Sequence, residues 1–171
     1  KTLLVVGGSL GARSINQCMA QNIDTLKNLG IQIIWQTGDL FYRTITPELL
    51  AKQDEKTLIV PFIKKMDFAY SIADFIVSRA GALAIAELTL VGSPTILIPF
   101  PFAAEDHQTK NAAALADHDA AILIPDQLVN EKLIPQLLEL IQNETKAATM
   151  AEEIKKFGLP DAIHVIANGI I

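Results

Sequence analysis

One cysteine, Cys18, stands among 171 residues, so an internal disulfide and a cysteine-based zinc cage are both excluded. A lone thiol suits a reducing compartment. Long apolar runs are missing too: none approaches the roughly 20 residues that cross a bilayer. Residues 1–6 are basic and then apolar, but the stretch is too short for a signal peptide and leads straight into glycines, so it reads as a strand. Positive charge is also scarce. With 14 basic against 19 acidic residues and no long basic run, the net charge of −5 speaks against nucleic acid as a partner. Solubility accounts for the mild acidity. What is abundant is apolar: half the residues are hydrophobic, enough for a large core in one ordinary domain.

Short apolar runs alternate with helical patterns along the chain. The runs fall at residues 3–6, 31–35, 58–60, 75–77, 95–98 and 121–124. Helical patterns cover residues 12–29, closed by Gly30, then 82–91, 106–116, and a tail from 130 with a break at Gly158-Leu159-Pro160. Runs that are continuously apolar suggest strands buried on both faces, and strands separated by helices suggest βαβ crossovers. The pattern predicts an α/β domain: a Rossmann-like, doubly wound parallel sheet of about six strands. In such sheets ligands sit beyond the C-terminal strand ends, near helix N-termini.

Three loops lie at such ends. The first, Gly7-Gly8-Ser9-Leu10-Gly11-Ala12-Arg13, follows strand one. Its glycines permit a sharp turn and close approach of a ligand, and the next helix offers free N–H groups. It matches neither the dinucleotide fingerprint, because Ser9 stands where glycine is needed, nor a P-loop. A tight strand-to-helix turn explains it as well. The second, residues 78–87, again leads small residues into a helix. The N–H groups of Gly81, Ala82 and Leu83 could face a phosphate, and Glu87, about one turn in, could accept from both ribose hydroxyls. A first-turn acid favoured by the helix dipole is the plainer alternative. Arg79 is either a phosphate clamp or a structural ion-pair partner. The third loop, residues 99–111, is stiffened by Pro99 and Pro101. Gln108 and Asn111, three apart on one helix face, carry amides suited to sugar hydroxyls. Asp106 could simply cap that helix. His107 has no nucleophile paired with it in sequence, which favours a binding or structural role, and His118 and His164 look incidental.

Taken together, GGSLGAR at 7–13, QTGD at 36–39, FIKKMDFAYSIADFIVSRAGALAIAEL at 62–88, GSPTILIPFPFAAEDHQTKNA at 92–112 and LPDA at 159–162 resemble the MurG family of peptidoglycan N-acetylglucosaminyltransferases. Any one motif is weak; their order and spacing are specific, and they span the whole chain. The resemblance implies the C-terminal half of a GT-B fold, with residues 1–171 as the domain that binds UDP-N-acetylglucosamine. It implies an inverting transfer to lipid I, making lipid II, on the cytoplasmic side at the inner membrane face. The lipid acceptor and most membrane contact would belong to an N-terminal domain absent from this chain. No metal or cofactor is implied, so the leaving UDP must be stabilised by helix N-termini and side-chain donors.

The resemblance also carries roles to positions. Ile63 matches a residue whose backbone reads uracil. Ala82 and Leu83 match backbone contacts to the diphosphate, Glu87 the ribose acid, and His107, Gln108 and Asn111 the segment reading sugar hydroxyls. Ser9 matches a serine near the donor. Ala84 stands where threonine is common, Ala80 where serine is frequent, and Leu10 and His107 where glutamine occurs in some members. The rivals are another GT-B transferase, a UDP-sugar epimerase, a non-catalytic nucleotide-binding module and, more remotely, a Rossmann oxidoreductase.

Overall fold

The computed structural model describes residues 1–161; His164, and Ala162 of the LPDA segment, lie outside them. Six parallel strands form one sheet: β1 (Thr2–Val6), β2 (Gln32–Gln36), β3 (Thr57–Val60), β4 (Phe75–Ser78), β5 (Thr95–Leu97) and β6 (Ile122–Leu123). Their order across the sheet is β3-β2-β1-β4-β5-β6, so the direction of winding reverses between β1 and β4. The register pairs Val5 with Trp35 on one side and with Val77 on the other.

The uninterrupted apolar strands are explained by two cores. Leu3, Val5, Trp35, Val77 and Ile96 face one layer, packed with Ile15, Met19 and Ile23 of α1 (Arg13–Asn28) and Leu133 and Leu137 of α7 (Val129–Gln142). The alternate residues Leu4, Val6, Ile76 and Leu97 face the other. There they meet Ala69 of α4 (Met66–Ile72), Leu88 of α5 (Ala82–Val91), Leu115 of α6 (His107–Ala116) and Ile154 of α8 (Glu144–Lys155). Period-two side chains with both faces covered leave the strand interiors apolar, with polar residues such as Gln36, Thr57, Ser78 and Thr95 confined to strand ends. Cys18 is buried in the first core, and burial pushes its thiol pKa up to about 11.

The sequence expectation of a doubly wound α/β sheet is met, with strand and helix ends within a residue or two. Three short helices were not anticipated: α2 (Asp39–Tyr42), α3 (Pro47–Leu50) and α4. Each spans two turns or fewer, too short for a 3.6-residue period to show. The helical tail also divides at Asn143, whose side chain accepts from the Lys146 N–H at 2.9 Å and starts α8.

Candidate functional site

Two cavities open at the C-terminal edge of the sheet, on either side of the first glycine-rich loop. The smaller, about 450 Å³, lies at the winding reversal. Its walls include Gly7, Ser9 and Leu10 from the first loop, Met66 and Tyr70 from α4, Gly81, Leu83, Ala84 and Glu87 around the start of α5, and Gln108 from α6. The larger, about 860 Å³, is bounded by the start of α1, by Leu40 and Phe41 of α2, and by Phe100 and Phe102. The smaller one brings together Ser9, Tyr70, Arg79, Glu87 and Gln108 at the start of α5.

The start of α5 is its main electrostatic feature. Gly81 occupies the N-cap with extended backbone and no side-chain cap, and the first helical bond is Ile85 N–H to Gly81 C=O at 2.9 Å. The N–H groups of Ala82, Leu83 and Ala84 are therefore left over, at the positive end of a ten-residue helix. Gly81 has open space where a side chain would project. Glu87 is the sole charged residue of α5, and its Oε2 accepts from the Tyr70 hydroxyl at 2.8 Å. Burial, and next the neighbouring Glu87, push the Tyr70 pKa well above its ordinary value.

The first loop is locked against the turn that follows β2. Gly11 has φ +81°, and a Cβ there would lie 2.2 Å from the Thr37 carbonyl oxygen; Gly38, at φ +78°, touches Gly11 just as closely. Buried Asn16 bridges the Trp35 indole N–H (3.0 Å) and the Thr37 carbonyl (2.7 Å). Buried Gln36 donates to the Gly8 carbonyl at 3.2 Å and accepts from the Ile63 N–H at 2.9 Å, tying the glycine loop to the segment before α4. Glycine thus serves packing here, and the start of α1 opens on the larger cavity.

The remaining sequence-predicted residues fall into place unevenly. Ser9, Arg79, Gly81, Leu83, Glu87 and Gln108 line the smaller cavity, while Ile63, Ala82, His107 and Asn111 do not. Of the two roles open to Arg79, the structure displays the ion pair. Its guanidinium bonds Asp126 at 2.6 Å and the carbonyls of Ile98 and Pro99 at 3.1 and 3.0 Å, with the Ser14 hydroxyl also on Asp126 at 2.5 Å. Gln108 Oε1 accepts from the Phe100 N–H at 3.0 Å, and its NH₂ group has no partner among the described residues. Asn111 donates to the Ala80 carbonyl at 3.2 Å, and His107 Nδ1 lies 2.7 Å from the Ala104 carbonyl. Asp106 precedes α6 but does not cap it: its backbone is left-handed at φ +54° and its carboxylate takes the Thr109 hydroxyl instead. At Ile63, whose backbone was expected to read uracil, the N–H donates to Gln36 Oε1 at 2.9 Å. Sequence reasoning missed Met66, Tyr70, Gln36 and Asp126. The spacing of Met66 and Tyr70, one helical turn apart, was the available sign for α4.

A profile of the "Glycosyltransferase family 28 C-terminal domain" matches residues 2–166. The enzyme named UDP-N-acetylglucosamine--N-acetylmuramyl-(pentapeptide) pyrophosphoryl-undecaprenol N-acetylglucosamine transferase from Cytophaga hutchinsonii is 47% identical over 170 residues, covering 99% of this chain and 45% of that protein. Its namesake from Parabacteroides distasonis is 44% identical, covering 100% of this chain and 46% of its own length. Among solved structures, that of Acinetobacter baumannii MurG superposes with a TM-score of 0.80 at 32% identity, over 99% of this chain and 49% of that one. The chain therefore spans about half the length of the relatives it matches.

Proposed function

The chain belongs to the glycosyltransferase family 28 C-terminal domains, and on that premise we propose that it is the donor-binding half of a GT-B enzyme transferring N-acetylglucosamine from UDP-N-acetylglucosamine to a pyrophosphoryl-undecaprenol acceptor, lipid I, in peptidoglycan synthesis. One observation carries the reading: an uncapped helix start and a carboxylate unpaired with any cation among the described residues share one cavity at the winding reversal. The first suits a diphosphate, the second the hydroxyls of a ribose.

In this reading the N–H groups of Ala82 and Leu83 hold the diphosphate, with Gly81 allowing close approach. Glu87 holds the ribose, and the backbone carbonyl of Ile63 takes the uracil imide N–H while Gln36 fixes that segment. Gln108 meets the sugar hydroxyls, with His107 and Asn111 shaping the same end, and Ser9 borders the donor from the opposite wall. Arg79 keeps the loops in place from beneath. As the acceptor hydroxyl attacks the anomeric carbon, negative charge grows on the departing UDP, where fixed N–H dipoles stabilise it. Inversion follows from a single displacement. The acceptor and the membrane contact belong to the other half of the protein, and the site of action is the cytoplasmic membrane face. One feature supports this: relatives are named for a lipid-linked acceptor.

Calorimetric titration of the chain with UDP, UDP-N-acetylglucosamine, UDP-glucose and NAD tests the assignment. Saturable binding of UDP and tighter binding of UDP-N-acetylglucosamine are expected, with UDP-glucose weaker and NAD silent. NAD binding without UDP binding would overturn it.

A further inference from the structure

Glu87 reaches into the donor cavity from α5, and Tyr70 reaches the same place from α4; both line it, and their side chains meet at 2.8 Å. Among the described residues no lysine or arginine forms an ion pair with Glu87. The carboxylate therefore keeps its full strength as an acceptor for neutral hydroxyls, yet one oxygen is held in a fixed direction. The donor is reliable, because the phenol is half-buried beside an acid and stays protonated across the physiological range. Met66, one turn earlier on α4, lines the same wall.

Building on the assignment of Glu87 to the ribose, we propose that Tyr70 is a positioning residue that sets the sugar specificity of the nucleotide: by holding Oε2 it presents Oε1 and the outer lone pair of Oε2 to two vicinal hydroxyls, so that the site selects ribose over 2′-deoxyribose. A free glutamate side chain samples several rotamers and can follow a single hydroxyl nearly as well as a pair. A carboxylate fixed in orientation gains its second bond only from a diol of matching geometry. Tyrosine acts here without touching the reacting atoms.

The test compares the wild-type chain, Tyr70→Phe, Glu87→Ala and the double variant by calorimetry, with UDP and 2′-deoxy-UDP as probes and melting temperature as a check on folding. Phenylalanine keeps the ring and removes only the donor. Tyr70→Phe is expected to weaken UDP about fivefold, the scale of one neutral hydrogen bond, and 2′-deoxy-UDP less than twofold, so ribose preference shrinks. In the Glu87→Ala background the same change should leave that preference unaltered. Equal losses for the two nucleotides would mean that the phenol merely supports the wall, and the proposal falls. An unchanged ratio in Tyr70→Phe, with Glu87→Ala collapsing it, also overturns the role of Tyr70 but spares the ribose assignment. If Glu87→Ala itself leaves UDP affinity unchanged, the ribose assignment fails and Tyr70 with it.

Discussion

A carboxylate that among the described residues bonds one phenol and no cation has little structural reason to exist, and this makes Glu87 the most informative single residue. If it holds the ribose as proposed, replacing it with alanine removes one or two charge-assisted hydrogen bonds, each about 1.5–3 kcal/mol. Calorimetry on Glu87→Ala should thus register a loss of at least about tenfold in UDP affinity with the melting temperature little changed. The two amides of α6 are expected to separate. Gln108 lines the cavity and its NH₂ group has no partner among the described residues, so Gln108→Ala should weaken UDP-N-acetylglucosamine and spare UDP. Asn111 spends its donor on the Ala80 carbonyl, next to the phosphate-facing turn. Asn111→Ala should therefore weaken both ligands alike, and a selective loss for the sugar nucleotide would return Asn111 to direct sugar reading.

Between elements, the organising contact is Arg79 at the end of β4. It joins the loop after β5, the start of α1 through Ser14, and Asp126 before α7. Its side chain is 13% exposed and that of Asp126 21%, so the pair is screened only in part. Arg79→Met should lower unfolding free energy by about 2–3 kcal/mol, less than for a fully buried pair, read from urea denaturation; a change within 0.5 kcal/mol, about the size of a surface substitution, would show the network to be ornamental. This scale also marks how far the sequence could be read. The six strands and four helical stretches follow from apolar runs and turn residues, because those signals are local, whereas the division of the tail at Asn143 does not. The start of α5 was legible for the same reason: small residues, a helix, and one acid among apolar neighbours. Arg79 was left between two roles because its partner lies 47 positions away. Tyr70 stayed invisible because its meaning depends on Glu87 across β4, and the exposed Phe68 and Ile72 obscure any inward face on α4.

For the molecule as a whole, every donor-side group sits in one sheet edge that faces solvent, with Leu10, Leu83 and Phe102 at least three-quarters exposed around it. Transfer also needs the acceptor hydroxyl held and deprotonated close to the anomeric carbon, and such positioning is worth about 7–11 kcal/mol of barrier. The 171-residue chain is expected to bind UDP-N-acetylglucosamine yet give no measurable radiolabel transfer to a lipid I analogue. Turnover by this chain alone would place the catalytic base within it, with His107 examined first. The packing of α1 against α7 has a further consequence, for synthesis on the ribosome. Ser14 and Asp126 stand 112 positions apart. At bacterial-to-eukaryotic elongation rates Ser14 emerges on the order of ten seconds before Asp126. Throughout that interval Ile15, Met19 and Ile23 have no α7 to cover them. A nascent chain in this state exposes apolar surface that aggregates or recruits holding chaperones until α7 is made.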